Sequence, residues 1–167
     1  MVSPDLASAA ESTLASLRAF GLTMATAESC TGGLVAAALT AIAGSSDVLE
    51  CGFVTYTNAA KTAMLGVPAA LFASDGAVSE KVARAMAEGA LAHSTAAIAV
   101  AITGIAGPGG ATPGKPVGLV HFASARRGGA TVVHAEIFPG DRGEIRRRAA
   151  LTALTLAAAA ASPPPPP

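Results

Sequence analysis

Apolar residues with helical spacing alternate along this chain with short apolar segments typical of buried strands, and this alternation limits which folds the chain can adopt. Pro4 to Phe20 has leucines at helical spacing and ends before Gly21, while Leu22 to Ala27 has the composition of a buried strand. Further helices are predicted over 34–42, 58–65 and 79–93 and after Pro139-Gly140-Asp141, and further strands over 48–57, 96–102, 117–125 and 131–138. The order predicts an α/β fold, a three-layer α/β/α sandwich on a mixed, mostly parallel sheet, whose last two strands pair antiparallel.

Polar residues at the starts of three predicted helices fit the N-cap position. Asn58 and Ser79 precede apolar helical segments, and Asp141 with Glu144 has the spacing of a capping box. These residues predict where the three helices begin.

The length and charge of the chain limit its size class and its partners. Its 167 residues suit one domain, assigned to 1–162, and the five prolines at 163–167 predict a disordered tail. Lys+Arg and Asp+Glu each number 11, so there is no basic excess to neutralise nucleic-acid phosphates. The hydrophobic share of 51% is rich in alanine, and no run of about 18 strongly apolar residues could span a bilayer. We expect neither a nucleic-acid nor a membrane partner.

The cysteines and histidines show no disulfide or metal pattern. Cys30 and Cys51 are too few for a disulfide framework and form no C-x-x-C pair, so free thiols are expected. His93, His121 and His134 lack metal-ligand spacing, so neither a metal nor another cofactor is expected. The N-terminal segment has no basic region followed by an apolar stretch, which indicates a cytoplasmic protein. Alanine-rich helical faces would permit a homo-oligomer.

The segment AESCTGG at 27–33 connects the first predicted strand to a helix. It places Ser29 between small residues, in a looser form of the nucleophile-elbow pattern. N–H groups of this turn, at the positive end of the helix after Thr31, could stabilise an oxyanion. The spacing also fits Ser29 or Thr31 as a simple helix cap, and Cys30 as the nucleophile, so these alternatives stay open.

Lys61 is the nearest candidate base for a serine nucleophile, one helical turn past residues 56–58. A lysine serves as a base only when neutral, and burial in a cleft or a neighbouring cation such as Arg142 would lower its pKa. Tyr56 could relay or orient the proton. A solvated helix residue is the alternative for Lys61, and a half-buried aromatic residue in a strand is the alternative for Tyr56.

A glycine- and proline-rich loop at 103–116 follows the strand predicted over 96–102. Its glycines let the backbone approach a ligand closely and offer N–H groups to an anion, although the loop lacks the order of a nucleotide P-loop. Arg142, in the first turn of the last helix, suits bidentate phosphate recognition, and Arg146 lies one turn further on. A flexible surface loop and a solvated basic face are the alternatives for these segments.

Seven segments, read together, closely resemble the CinA C-terminal domain family. They are TAESCTGG at 26–33, YTNAAK at 56–61, LGVP at 65–68, GAVSEKVARAMAEGA at 76–90, TGIAGPGG at 103–110, KPVG at 115–118 and GDR at 140–142. The resemblance covers about residues 5 to 160, and its departures, in the spacer 111–114 and the alanine-rich last helix, touch no motif residue. Larger members of this family carry an additional N-terminal domain, so the chain resembles the stand-alone form.

The resemblance implies a serine-lysine amidase site. Ser29 would be the nucleophile, Lys61 the general base and Tyr56 an accessory catalytic group. Substrate contacts are implied for Thr103, Gly104, Arg142, Cys30, Thr31 and Gly32.

The activity implied by the resemblance is that of a nicotinamide-nucleotide amidase. Such an enzyme converts nicotinamide mononucleotide, a small nucleotide substrate, to nicotinic acid mononucleotide and ammonia in pyridine-nucleotide recycling. One alternative is an amidase that acts on a related carboxamide. Another is a non-catalytic interaction module linked to competence or the damage response, although such a module has no need of Ser29, Tyr56 and Lys61 together.

Overall fold

A computed structural model describes residues 2–162, which form five strands and six α-helices around one sheet. The tail predicted for 163–167 lies outside the described residues. The strand order is β2-β1-β3-β4-β5, with β2, β1 and β3 mutually parallel and with β4 antiparallel to both of its neighbours. Only β4 therefore runs against the other four strands, and the predicted mixed, mostly parallel sheet with an antiparallel pair at its end is confirmed.

The elements follow the predicted order. The strands are β1 Met24–Glu28, β2 Leu49–Val54, β3 Ile98–Gly104, β4 Leu119–Arg126 and β5 Val132–Ile137. The helices are α1 Pro4–Ala19, α2 Leu34–Thr40, α3 Asn58–Leu65, α4 Ala69–Ser74, α5 Glu80–Ala92 and α6 Arg142–Ala161. A single 3-10 turn, Ser45–Asp47, lies between α2 and β2.

Two apolar layers cover the two faces of the sheet. Side chains of α1, α2 and α6 pack on one face around Ile98, Val100 and Phe122. On the other face, α3 and α5 pack on sheet positions that are mostly alanine, and these small side chains let the helices come close. The predicted three-layer sandwich is therefore present. Within residues 2–162, no helix combines the length and the apolar character that crossing a bilayer requires.

The register of the parallel strands brings three loops to one edge of the sheet. Glu28, the last residue of β1, pairs with Val54 at the end of β2 and with Ile102 near the end of β3. In an open α/β sheet, ligands bind outside the carboxyl ends of such strands. The AESCTGG turn, the segment before α3 and the glycine-rich loop therefore emerge side by side.

The structure corrects several details of the local predictions. Thr57, not Asn58, caps α3, because its hydroxyl accepts a hydrogen bond from the Ala60 N–H at 3.1 Å. Ser79 caps α5 as predicted. Asp141 caps α6, but the Glu144 carboxylate pairs with arginines of its own helix, so the capping box is only half formed. The short helix α4 was not predicted.

Candidate active site

The three loops enclose a cavity of about 270 Å³ at the carboxyl ends of β1, β2 and β3. Ser29 and Lys61 line it, together with Thr103, the glycine-rich loop at 104–110 and Arg142 at the start of α6. Its volume is near the lower end of the range typical of small-molecule sites. Residues from four separate parts of the chain thus meet at one site.

Ser29 and Lys61 form a direct hydrogen-bonded pair. Lys61 Nζ lies 2.9 Å from Ser29 Oγ and donates a second hydrogen bond to the Thr55 carbonyl oxygen at 2.8 Å. The Thr55 carbonyl therefore fixes the amine so that another of its bonding positions is directed at the serine. Helix α3 determines this geometry, because Thr57 caps the helix and Lys61 follows one turn later.

Burial favours the neutral form of the Lys61 amine. Its side chain is only 1% exposed, and within the described chain it forms no ion pair with a carboxylate. Burial without a counter-charge disfavours the ammonium form, and the pKa of Lys61 is lowered from its ordinary value. A neutral amine 2.9 Å from a serine hydroxyl can accept its proton.

Cys30 also reaches the cavity, but its environment opposes a thiolate. Burial raises the pKa of Cys30 to about 11, and the Glu28 carboxylate adds to this effect. A thiol with such a pKa is protonated near neutral pH and is a poor nucleophile. Between the two candidates in the turn, the local chemistry therefore favours Ser29.

Glu28 organises the turn and was not predicted from the sequence. Its buried carboxylate accepts hydrogen bonds from the N–H groups of Gly33, Val35 and Ala36, at 3.0, 3.1 and 2.9 Å. The N-terminus of α2 is thus already occupied by an anion of the protein. These three N–H groups are therefore engaged within the protein, and oxyanion stabilisation by the other N–H groups of the turn stays a prediction.

Few backbone N–H groups of the turn are left without an acceptor within the described part of the protein. The Ser29 N–H donates to the Ile102 carbonyl at 2.9 Å, and the Gly32 N–H donates to the Ser29 carbonyl at 3.0 Å. Among residues 2–162, the N–H groups of Cys30 and Thr31 donate no hydrogen bond to another residue. Cys30 lines the cavity and directly follows Ser29. An oxyanion donor usually follows a serine nucleophile in this way, so the Cys30 N–H is the better placed of the two for that role.

Arg146, the second arginine of the α6 face, binds backbone carbonyl groups of the turn. Its Nε donates to the Cys30 carbonyl at 3.1 Å and its Nη2 to the Thr31 carbonyl at 2.8 Å. Because the carbonyl and the following N–H of a trans peptide point in opposite directions, these bonds fix the orientation of consecutive peptide planes. The sequence indicated only that Arg146 lies one turn from Arg142.

Tyr56 and Arg142 lie together at the mouth of the cavity. Arg142 donates to the Tyr56 hydroxyl at 2.6 Å and to the Gly107 carbonyl at 2.8 Å. Tyr56 is 57% exposed, and its hydroxyl has no hydrogen bond to Ser29 or Lys61 within residues 2–162. The structure thus pairs Tyr56 with Arg142, and its role in proton transfer stays a prediction.

The other residues predicted to contact substrate divide into two groups. Thr103 and Gly104 line the cavity, and the Thr103 hydroxyl donates to the Ala77 carbonyl at 2.8 Å. A Cβ at Gly104 would lie 2.7 Å from a Val120 methyl group, so only glycine fits there.

Thr31 and Gly32 lie in the turn but do not line the cavity. Thr31 is fully buried, and Gly32 has a φ of +60°, which favours glycine. The structure therefore gives these two residues a role in shaping the turn, and their contact with substrate stays a prediction.

Metal ligation has no support among the described residues. Within 2–162, no three His, Cys, Asp or Glu side chains group closely enough to hold a metal ion. Cys30 and Cys51 are both free thiols, as predicted.

Comparison with known protein families matches residues 6–160 to the CinA C-terminal domain. The chain belongs to this family. Among its relatives, a CinA-like protein of Anaeromyxobacter dehalogenans is 57% identical over 143 residues, which are 86% of this chain and 35% of that protein. A CinA-like protein of Akkermansia muciniphila is 50% identical over 154 residues, 92% of this chain and 37% of that protein. The CinA-family chain described here therefore spans about a third of the length of these curated relatives.

Solved structures of CinA proteins share the whole fold. The competence/damage inducible protein CihA of Agrobacterium tumefaciens superposes with a TM-score of 0.92 at 49% identity, covering 95% of this chain and 97% of that one. A CinA superfamily protein of Escherichia coli gives a TM-score of 0.87 at 36% identity, covering 93% and 90%. Both the fold and the family predicted from the seven segments are confirmed.

Proposed function

We propose that this CinA domain is an amidohydrolase that converts nicotinamide mononucleotide to nicotinic acid mononucleotide and ammonia. The observation that carries the proposal is the buried lysine amine of Lys61, 2.9 Å from the hydroxyl of Ser29 in a cavity. Burying an uncompensated lysine lowers stability. The need of a serine nucleophile for a neutral base would explain why a lysine is buried at this position.

The first half of the reaction forms an acyl-enzyme. Neutral Lys61 accepts the hydroxyl proton of Ser29 while Oγ bonds to the carboxamide carbon of the substrate. The carbonyl oxygen becomes an oxyanion, which the Cys30 N–H stabilises. The ammonium of Lys61 returns the proton to the leaving nitrogen, the C–N bond breaks, and ammonia departs.

The second half regenerates the enzyme. Lys61 accepts a proton from a water molecule, which attacks the acyl carbon of the ester on Ser29. The bond to Oγ breaks, the serine recovers its proton from Lys61, and a carboxylic acid leaves. Each atom and proton is accounted for by the substrate, one water molecule and these two side chains.

A nucleotide substrate carries a phosphate that Arg142, at the mouth of the cavity, could bind. Arg142 donates to neutral oxygens of Tyr56 and Gly107 and contacts no carboxylate within the described chain, so its charge is available to an anion. Guanidinium groups bind phosphate through paired N–H donors. The floor of the cavity then receives the carboxamide and its mouth the phosphate.

Two alternatives make different predictions. An amidase for another carboxamide would retain the same pair but would not depend on the phosphate. A non-catalytic module linked to competence or damage would bind a partner without turnover, yet it would have no use for a buried amine directed at a serine hydroxyl.

The proposal is tested by ammonia release from purified protein. We expect turnover of nicotinamide mononucleotide and much slower turnover of nicotinamide riboside, which has the same carboxamide and no phosphate. Equal rates would indicate a different amidase, and no release from either compound by folded protein would refute the proposal.

A further inference from the structure

Strand β5 ends the sheet, and its outer edge carries exposed apolar side chains. No other strand within residues 2–162 pairs with this edge. Val132 and Ile137 are 59% and 60% exposed. An exposed edge strand is a template for pairing with another chain unless charge, proline or a covering segment blocks it. β5 has no proline and has a single acidic residue, Glu136.

The backbone of β5 has its free hydrogen-bonding groups at alternate residues. The Phe138 N–H donates to the Gly118 carbonyl at 3.0 Å, so the backbone N–H and carbonyl groups of Phe138 are directed towards the β4 side. The pairing with β4 is regular through Ile137, and the direction alternates along an antiparallel strand. Val133, Ala135 and Ile137 therefore direct their N–H and carbonyl groups outward.

We propose that β5 pairs antiparallel with β5 of a second copy of this chain, around a two-fold axis at Ala135. The sheets of the two copies would join into one continuous ten-stranded sheet, held by about six new backbone hydrogen bonds from the outward-facing residues. A two-fold interface requires a self-complementary strand.

The side chains of β5 are self-complementary in this register. Val133 would face Ile137 of the second copy, which gives two apolar pairs. His134 would face Glu136 of the second copy, which gives two pairs of complementary polarity. Within one copy, these two side chains already lie 3.5 Å apart and are about half exposed.

Neighbouring registers lose this match. A two-fold axis at His134 would set Val132 against Glu136 and two histidines against each other. An axis at Glu136 would set two carboxylates opposite each other, which is destabilising. The axis at Ala135 is therefore the register that the side chains favour.

The interface is separate from the catalytic cavity. No β5 residue lines that cavity, and β4 lies between β5 and β3. Dimer formation and amide hydrolysis can therefore be measured and lost independently.

The test is the molar mass of the full chain in solution, from light scattering across a concentration series. We expect a concentration-dependent dimer that becomes a monomer in Ala135→Pro. Proline is tolerated where an edge N–H faces solvent, so this variant should keep the wild-type fold. A monomer at every wild-type concentration, or a dimer unchanged in folded Ala135→Pro, would overturn the proposal.

A charge reversal tests the register even if the proline variant fails to fold. His134→Glu places carboxylates opposite each other twice and should raise the dimer dissociation constant about tenfold. Adding Glu136→Lys to that variant should restore the wild-type constant. No weakening in the single variant, or no recovery in the double variant, would contradict an axis at Ala135.

Discussion

Replacing Lys61 with methionine separates its chemistry from its packing. Methionine fills a similar volume without a titratable amine, and Lys61 is the only side chain within residues 2–162 that forms a hydrogen bond with Ser29 Oγ. With no second base in reach, we expect kcat/KM for nicotinamide mononucleotide to fall about 10² to 10⁴-fold, the range that general acid-base catalysis contributes. Lys81→Met, at an exposed lysine, is the matched control and should keep its activity.

The same variant should be at least as stable as the wild type. Because the pKa of Lys61 is lowered in the fold, the unfolded chain binds more protons between that pKa and the ordinary value of 10.5. Wild-type stability should therefore rise with pH through this window, and Lys61→Met should lack that rise. Each tenfold drop in proton affinity corresponds to about 1.4 kcal/mol of unfolding free energy.

Ammonia release and thermal unfolding from pH 6 to pH 10 measure both effects. Activity of Lys61→Met within about tenfold of the wild type would refute its role as the base. A large drop in melting temperature would show that the amine stabilises the fold and would refute the argument from burial.

Three further predictions concern the residues around the pair. Arg146→Met should lower kcat about 10-fold to 100-fold with little change in KM, because Arg146 positions the turn without reaching the substrate, and Arg148→Met on the same helix is its control. Glu28→Gln should lower the unfolding free energy by about 1 to 3 kcal/mol in urea titrations, because an amide cannot accept all three N–H groups; exposed Glu11→Gln should not. Arg142→Met should raise KM for nicotinamide mononucleotide at least about tenfold in steady-state kinetics and leave turnover of nicotinamide riboside unchanged. Unchanged kcat, stability or KM, respectively, would contradict these assignments.

The sequence predicted the architecture because its apolar periodicity is strong. Alternating helices and strands gave the layers, and the antiparallel pair was readable from two β-favouring segments around the Arg126 to Gly129 turn. Element ends were less accurate, as at Thr57, because a cap depends on which side chain reaches an N–H. Helix α4 is short and has no buried residue, so it left no periodic signal.

The sequence already suggested Lys61 as a candidate base for Ser29, and the family resemblance assigned the two residues to one site. Their contact spans 32 residues of sequence and arises from the parallel pairing of β1 and β2, which no local pattern reports. Glu28 and Arg146 were missed for the same reason, because both act on backbone groups of a turn. A charged residue at the end of a buried strand, four residues before a pair of glycines, is the signal that could have indicated Glu28.

In the proposed mechanism Ser29, and not the adjacent Cys30, attacks the carboxamide. The most direct measurement is ammonia release from nicotinamide mononucleotide by the wild type, Ser29→Ala and Cys30→Ala, with melting temperatures to confirm folding. We expect that Ser29→Ala abolishes turnover and that Cys30→Ala retains it, since the pKa of Cys30 is raised to about 11. Turnover retained in Ser29→Ala, or lost only in Cys30→Ala, would contradict it.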